Sequence, residues 1–190
     1  MIRISGGVCR GRQLRTPGDM IRPTQEKVRQ ALFSCLAARV PGCRFLDLFA
    51  GCGSVGLEAW SRGAGFVCWV EKDPRVAAVL KHNVALLCRE SGAETPGQTR
   101  VVVADAVRFV DKATIDGPFD IIFADPPYAE RQRDSWSRKI LQVLEGGSTL
   151  TANGILVVEQ GVGEPALECA GLTPLEEKAY GGTLLRFWKK

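Results

Sequence analysis

Histidine is nearly absent from this chain: His82 is the single one among 190 residues. A Ser-His-Asp triad or a histidine-based zinc site therefore has little material. His82 falls within a helical pattern over 76–88 and reads as a helix-surface residue. The cysteines number seven, an odd count, and no two stand as C-x-x-C. Several lie in apolar runs, as Cys68 does within 66–70. Free, reduced, buried thiols are expected, rather than disulfides or zinc ligands. No apolar run approaches the ~20 residues of a membrane span. The opening Met-Ile-Arg-Ile-Ser-Gly-Gly has no apolar core of a signal peptide. No metal, no membrane partner and a cytoplasmic location are expected. Internal repeats and low-complexity segments are also missing.

What is present suits one globular domain with an ample core: 45% of residues are hydrophobic and 24% charged. The net charge of +4 is unevenly spread. Residues 1–29 carry seven basic side chains (Arg3, Arg10, Arg12, Arg15, Arg22, Lys27 and Arg29) against Asp19 and Glu26, a net of +5, and the remainder sums to −1. Arginine dominates, and its guanidinium fork matches phosphate, so a polyanionic partner is expected for Arg3, Arg10, Arg12 and Arg22. A solvated basic arm without a partner is the alternative.

Residues 1–23 read as a basic arm or small hairpin, punctuated by Gly6-Gly7, Gly11 and Pro17-Gly18. Thr24 suits a helix N-cap, and apolar positions 28, 31, 32, 35 and 36 predict a helix over 25–39, stopped by Pro41-Gly42. From there buried strands and helices alternate through residue 159. Strands are predicted at 45–49, 66–70, 100–103, 119–124 and 154–159. Helices are predicted at 56–62, 74–88, 106–112 and 135–144. This alternation implies βαβ units and a parallel sheet. The polar stretch 89–99 reads as an exposed loop. The tail differs: 173–180, Gly181-Gly182 and 183–188 form an antiparallel hairpin pattern. The expected division is a 1–23 arm and a 24–190 domain. The fold class is α/β, doubly wound, with a mostly parallel seven-stranded sheet ending in an antiparallel hairpin.

After the first strand of the alternating region comes Asp47-Leu-Phe-Ala-Gly51-Cys-Gly53-Ser-Val-Gly56. Gly51, Gly53 and Gly56 fit G-x-G-x-x-G in its proper place between strand and helix. Glu71 follows Gly51 by 20 residues, at the end of the next strand, where a carboxylate can accept both ribose hydroxyls. Glycines needed only for a tight turn are the alternative. Asp47 stands four residues before Gly51; it would repel a pyrophosphate and favour an ammonium group. Asp105-Ala106 ends a third strand, where the acid can meet an adenine amino group or simply cap the next helix.

The stretch 119–128, Phe-Asp-Ile-Ile-Phe-Ala-Asp-Pro-Pro-Tyr, carries the most chemistry. Pro126 and Pro127 lock φ and lack N–H groups, so the turn is rigid and its carbonyls stay free to accept. Asp125 and Tyr128 flank that turn. The set can accept hydrogen bonds from a planar amino group and stack a ring, which suits chemistry on a base amino nitrogen or an amide. A proline loop with a packed Tyr128 is the structural alternative.

These residues together resemble the class I S-adenosylmethionine-dependent methyltransferases. Within them the chain resembles the bacterial small-subunit (16S) ribosomal RNA guanine-N2 methyltransferases, over nearly its whole length. The likeness runs through Arg3-Ile-Ser-Gly-Gly, Arg10-Gly-Arg12, Arg22-Pro-Thr24, Phe45–Gly51, Gly56-Leu-Glu-Ala, Ser61-Arg-Gly-Ala64, Asp125–Tyr128 and Tyr180-Gly-Gly-Thr183. Cys52 and Gly182 depart from the expected pattern. The resemblance implies a Rossmann-like methyltransferase fold and S-adenosylmethionine as cofactor. It implies cofactor contacts from Asp47, Gly51, Gly53, Glu71, Lys72, Asp105 and Ala106. It implies catalysis by Asp125, Pro126, Pro127 and Tyr128, and contacts from the arm arginines to ribosomal RNA or the small ribosomal subunit. A monomer is the default. The competing activities are adenine-N6 and protein-glutamine methylation, which usually show Asn where Asp125 stands. A nicotinamide-dependent oxidoreductase leaves Asp47 and the double proline unexplained. A non-catalytic RNA-binding protein leaves the intact acid set unexplained.

Overall fold

The computed structural model describes residues 2–18, 26–90, 98–112, 117–126, 136–164 and 171–190. A short antiparallel hairpin comes first, β1 (Ile2–Arg3) with β2 (Gln13–Leu14). Helix α1 (Glu26–Cys35) follows, then β3 (Arg44–Leu48), α2 (Ser54–Ser61), β4 (Phe66–Glu71), α3 (Pro74–Glu90), β5 (Gln98–Val103), α4 (Ala106–Lys112) and β6 (Phe119–Ala124). The chain closes with α5 (Trp136–Gly146), β7 (Leu150–Gly161), β8 (Thr173–Tyr180) and β9 (Thr183–Lys189). The main sheet has the order β5-β4-β3-β6-β7-β9-β8. Its first five strands are parallel, and β9 enters antiparallel between β7 and β8.

The expected alternation holds, with shifted ends. Helix α1 stops at Cys35 rather than 39: beyond it Arg39 N–H closes a tighter turn on the Leu36 carbonyl, three residues back, at 2.8 Å. The residue before Pro41 is also pushed out of the helical region. Strand β7 is longer than expected, since both β6 and β9 supply ladder partners along it. The expected polar loop is shortened by α3 and β5, and positions 91–97 lie outside the described residues.

Helices cover both faces. Phe45, Val67, Trp69, Ile121, Phe123 and Val157 pack under α1, α2, α3 and the hairpin. Leu46, Leu48, Cys68, Val70, Ile122 and Leu156 pack under α4 and α5. The near-continuous burial of β3, β4 and β6 follows from this double cover. No helix among the described residues is long and apolar enough to cross a membrane.

The chain runs outward from β3 through β4 to β5, then returns to place β6 on the other side of β3. Between β3 and β6 lies the switch point, and ligands in such sheets bind outside the carboxyl ends of the strands there. Asp47, next to last in β3, and Asp125, just past the end of β6, flank that crevice.

Candidate active site

The turn from β3 into α2 is unusually constrained. Phe49 takes φ 60°, and Gly51 and Gly53 take 56° and 86°. Three of five residues thus lie in the left-handed region, which costs a bulky side chain such as Phe49 about 1–2 kcal/mol. Such strain is held only where surrounding contacts fix it. Ala50 N–H donates to the Val70 carbonyl at 3.0 Å, and Gly53 N–H donates to the Ala50 carbonyl at 2.8 Å. A Cβ on Gly53 would lie 2.2 Å from Leu80 Cδ1, and one on Gly56 would lie 2.2 Å from Trp69 Nε1. Gly56 therefore lets α2 sit directly on the buried indole of β4.

The acids hold this loop. Gly56 N–H donates to Asp47 Oδ2 at 2.8 Å. Gly51 N–H donates to Glu71 Oε2 at 2.9 Å, and Asp73 N–H donates to Glu71 Oε1 at 2.8 Å. Each carboxylate oxygen has a second lone pair, so Glu71 retains capacity to accept from a ligand. Asp47 is buried, at 2% exposure. Burial, followed by the neighbouring Asp125 and Glu71 carboxylates, pushes its carboxyl well above the ordinary range, against the pull of the Gly56 N–H. Asp47 is thus within electrostatic reach of both Asp125 and Glu71. A cationic ligand would relieve this crowding of negative charge, and a pyrophosphate would worsen it. The donor set therefore fits an ammonium- and sulfonium-bearing cofactor.

The other expected residues fall as follows. Asp105 caps α4, accepting the Arg108 N–H on Oδ1 at 3.0 Å, so the capping alternative is realised. Its strand still lies beside β4, with Ala104 N–H on the Glu71 carbonyl at 3.1 Å. Ala106 is buried, and Lys72 is exposed beside Glu71. Pro126 is buried next to Asp125 at the same edge. Pro127, Tyr128 and Arg22 lie outside the described residues, as do Pro23, Thr24 and Cys169. The other six cysteines form no disulfide. Burial foremost raises the Cys52 thiol pKa, which keeps it neutral in the glycine loop.

The arm is a packed hairpin. Ile2, Ile4, Cys9 and Leu14 are buried in the core beneath α2, while Arg3, Arg10, Arg12 and Arg15 are exposed. Its tip is tied to the far end of α2: Val8 N–H donates to the Ser61 carbonyl at 2.8 Å and Cys9 N–H to Ser61 Oγ at 2.9 Å. Arg10 lies in that tip, a helix length of about 12 Å from the glycine loop. The sequence pattern assigns no role to two residues that hold the hairpin. Glu58, fully buried in α2, accepts from Ser5 N–H and Arg62 Nε, both at 2.8 Å. Asn83, fully buried in α3, bonds the hairpin exit and the glycine loop together. Among the described residues no group of three or more His, Cys, Asp or Glu is arranged to hold a metal ion.

Residues 2–189 match the family described as Conserved hypothetical protein 95. The chain is 35% identical, over 193 aligned positions, to ribosomal RNA small subunit methyltransferase D of Escherichia coli K12, covering 100% of this chain and 90% of that protein. The solved structure of a hypothetical protein from Thermus thermophilus superposes with a TM-score of 0.78 at 35% identity, covering 98% of each chain. At the level of fold alone, an RNA methyltransferase from Salinibacter ruber, solved with S-adenosyl-L-homocysteine, superposes with a TM-score of 0.62 at 14% identity, covering 88% of this chain and 93% of that one. The strained strand-to-helix turn, the acids around it and the match over 2–189 agree: the chain belongs to the Conserved hypothetical protein 95 family and is a methyltransferase similar to ribosomal RNA small subunit methyltransferase D.

Proposed function

We propose that this chain transfers a methyl group from S-adenosylmethionine to the exocyclic N2 of a guanine in small-subunit (16S) ribosomal RNA, acting as a monomer in the cytoplasm. The observation that carries the reading is the Asp125–Pro126 turn, set beside Asp47 across the β3–β6 crevice. The name of the Escherichia coli relative supports ribosomal RNA as substrate.

Asp47, Gly51 and Gly53 would hold the amino-acid end of the cofactor, Glu71 with Lys72 the ribose, and Asp105 with Ala106 the adenine. Bound there, the cofactor supplies an electrophilic methyl on a cationic sulfur. The remaining work belongs to the protein. The amino group of guanine is a poor nucleophile, because its lone pair is delocalised into the ring. Hydrogen bonds to the Asp125 carboxylate and the Pro126 carbonyl pull the nitrogen towards tetrahedral geometry and stabilise the positive charge it gains. Asp125 takes the departing proton or hands it to solvent. Pro127 would keep this turn rigid, and Tyr128 would stack on the base. A base inside a duplex cannot reach such a turn, so the target is unpaired or flipped out. Arg3, Arg10, Arg12 and Arg22 grip phosphates without reading sequence.

The deciding experiment follows labelled methyl from S-adenosylmethionine into unmethylated small-subunit RNA, the matching ribosomal particles, duplex DNA and protein, with Asp125→Ala as control. Label recovered as N2-methylguanosine from the RNA or the particle establishes the reaction. Label recovered as N6-methyladenine, or in protein, overturns it.

A further inference from the structure

Asn83 is fully buried midway along α3, and its carboxamide makes three hydrogen bonds to backbone from two distant segments. Its Oδ1 accepts the Arg15 N–H at 3.0 Å, and its Nδ2 donates to the Arg15 carbonyl at 3.0 Å and to the Cys52 carbonyl at 3.0 Å. Both amide hydrogens are thereby committed. Arg15 directly follows β2, and its own side chain is exposed. Cys52 sits between the two left-handed glycines of the cofactor loop. One side chain thus joins the exit of the arginine-bearing hairpin to the loop around which the methyl donor would be held. The rest of the hairpin is anchored elsewhere, at Ser61 and Glu58. A buried apolar residue would fill the space but leave the Arg15 N–H and the Arg15 and Cys52 carbonyls without this partner, so the carboxamide links the two segments through their own backbone.

We infer that Asn83 is a positioning residue that registers the RNA-gripping hairpin against the cofactor loop, and that Arg15 is the hairpin's phosphate contact closest to the reacting centre. The inference rests on the proposed function. Methyl transfer needs the acceptor nitrogen and the methyl carbon aligned from two separately bound partners, and an error of about 1 Å can cost 10²-fold in rate. A joint that fixes both holding segments to one buried amide sets that distance. Arg15 is placed to hold the phosphate of the target nucleotide or its neighbour. Arg10, at the far end of α2, reaches RNA farther along the strand.

The test compares wild type with Asn83→Ala, Asn83→Asp and Arg15→Gln. Asn83→Asp keeps the size and the acceptor for the Arg15 N–H while losing both donors, so it serves if the alanine variant does not fold. Methyl transfer to small-subunit RNA is measured at saturating RNA and cofactor, per folded molecule by circular dichroism. Binding of S-adenosylhomocysteine alone is measured by calorimetry, and RNA affinity is followed against salt. The Asn83 variants should lose about 10- to 100-fold in kcat, while affinity for each partner alone changes far less. A purely structural role would lower the melting temperature and leave the kcat of the folded fraction intact; that result overturns the inference. Arg15→Gln should lower the salt slope of RNA binding by about 1; an unchanged slope overturns the assignment of Arg15. If wild type binds cofactor yet methylates no RNA, the functional reading fails on its own. Hydrogen exchange then decides the joint itself: loss of protection at both residue 15 and the glycine loop in Asn83→Ala supports it, and unchanged protection overturns it.

Discussion

Asp47 Oδ2 and the Gly56 N–H, nine positions apart, meet at 2.8 Å and tie the end of β3 to the first turn of α2. The bond fixes a carboxyl that burial and the nearby Asp125 and Glu71 carboxylates hold mostly protonated beyond the ordinary carboxylate range. A group whose pKa is raised by folding favours the fold below its unfolded value, and that contribution is lost as pH rises through the folded value. The ligand-free protein therefore loses stability through Asp47 on the alkaline side of about pH 4, the unfolded value. A cationic cofactor needs the ionised form, so its affinity should climb over the same interval. Asp47→Asn keeps an acceptor for Gly56 and abolishes the titration. It should raise the melting temperature at neutral pH by about 2–4 °C per kcal/mol relieved. It should also weaken S-adenosylmethionine binding on the order of 10- to 100-fold. Calorimetry across pH 5 to 8 checks both, and a flat wild-type profile would sink the assignment.

In the proposed reaction Asp125 acts on the acceptor, not on the cofactor's grip. Asp125→Ala should reduce methyl transfer by about 10²–10³-fold, the usual cost of one preorganised electrostatic contact. Cofactor affinity should stay within a few fold of wild type. Single-turnover transfer and equilibrium binding on the same preparation separate the two quantities. Near-normal turnover would remove Asp125 from the mechanism.

Arg10 and Arg12 project from a hairpin whose backbone is already held by Ser61 and by β1. Their replacement by alanine should leave the fold intact and weaken RNA binding. The slope of log affinity against log salt should fall by about 2, one for each phosphate no longer neutralised. Filter binding at several salt concentrations reads this directly, and identical slopes would place the RNA elsewhere.

Glu58 has no exposed surface, and its carboxylate serves Ser5, Arg62 and Arg29 at once. Arg29, itself 1% exposed, also donates to the Arg3 carbonyl. Glu58→Ala strands a buried guanidinium, a change that typically costs about 3–5 kcal/mol. Urea unfolding should register that loss, with β1 and β2 losing hydrogen-exchange protection first. A loss below about 1 kcal/mol would mean the pair is solvated in solution.

Much of this architecture is legible in the residues themselves. The βαβ alternation, the glycine loop and the 173–188 hairpin announce themselves because each depends on local spacing or on turn residues. Glu71 and Asp125 are legible for the same reason: each ends a run of apolar strand residues, so each must emerge at the carboxyl edge; Asp47 is legible as a lone acid inside the apolar run 45–49. Asn83 is not, because its partners lie 68 and 31 positions away and its neighbours in α3 give it no distinguishing pattern. Glu58 looks like one more helix acid until the hairpin closes over it. The left-handed Phe49 is equally hidden, since nothing about a phenylalanine after a strand foretells positive φ. The charge pattern marks the arm as basic but cannot separate Arg15, joined through Asn83 to the glycine loop, from Arg10, a helix length away.

The order of strands has a consequence for how the molecule is made. By the time residue 103 has left the ribosome, β3, β4 and β5 are all available, and with them the glycine loop and Glu71. One edge of β3 nevertheless stays open until β6 arrives, and β7 must wait for β9, the last strand synthesised, before its own far edge is covered. An unpaired edge beside a strand this apolar is a template for pairing with other chains. A half-sheet of β3, β4 and β5 would thus carry the glycine loop and Glu71 and lack Asp125. Open edges therefore persist at β3 from residue 48 until β6 begins at residue 119, and again at β7 until β9, and the crevice is complete only when the second half of the sheet docks.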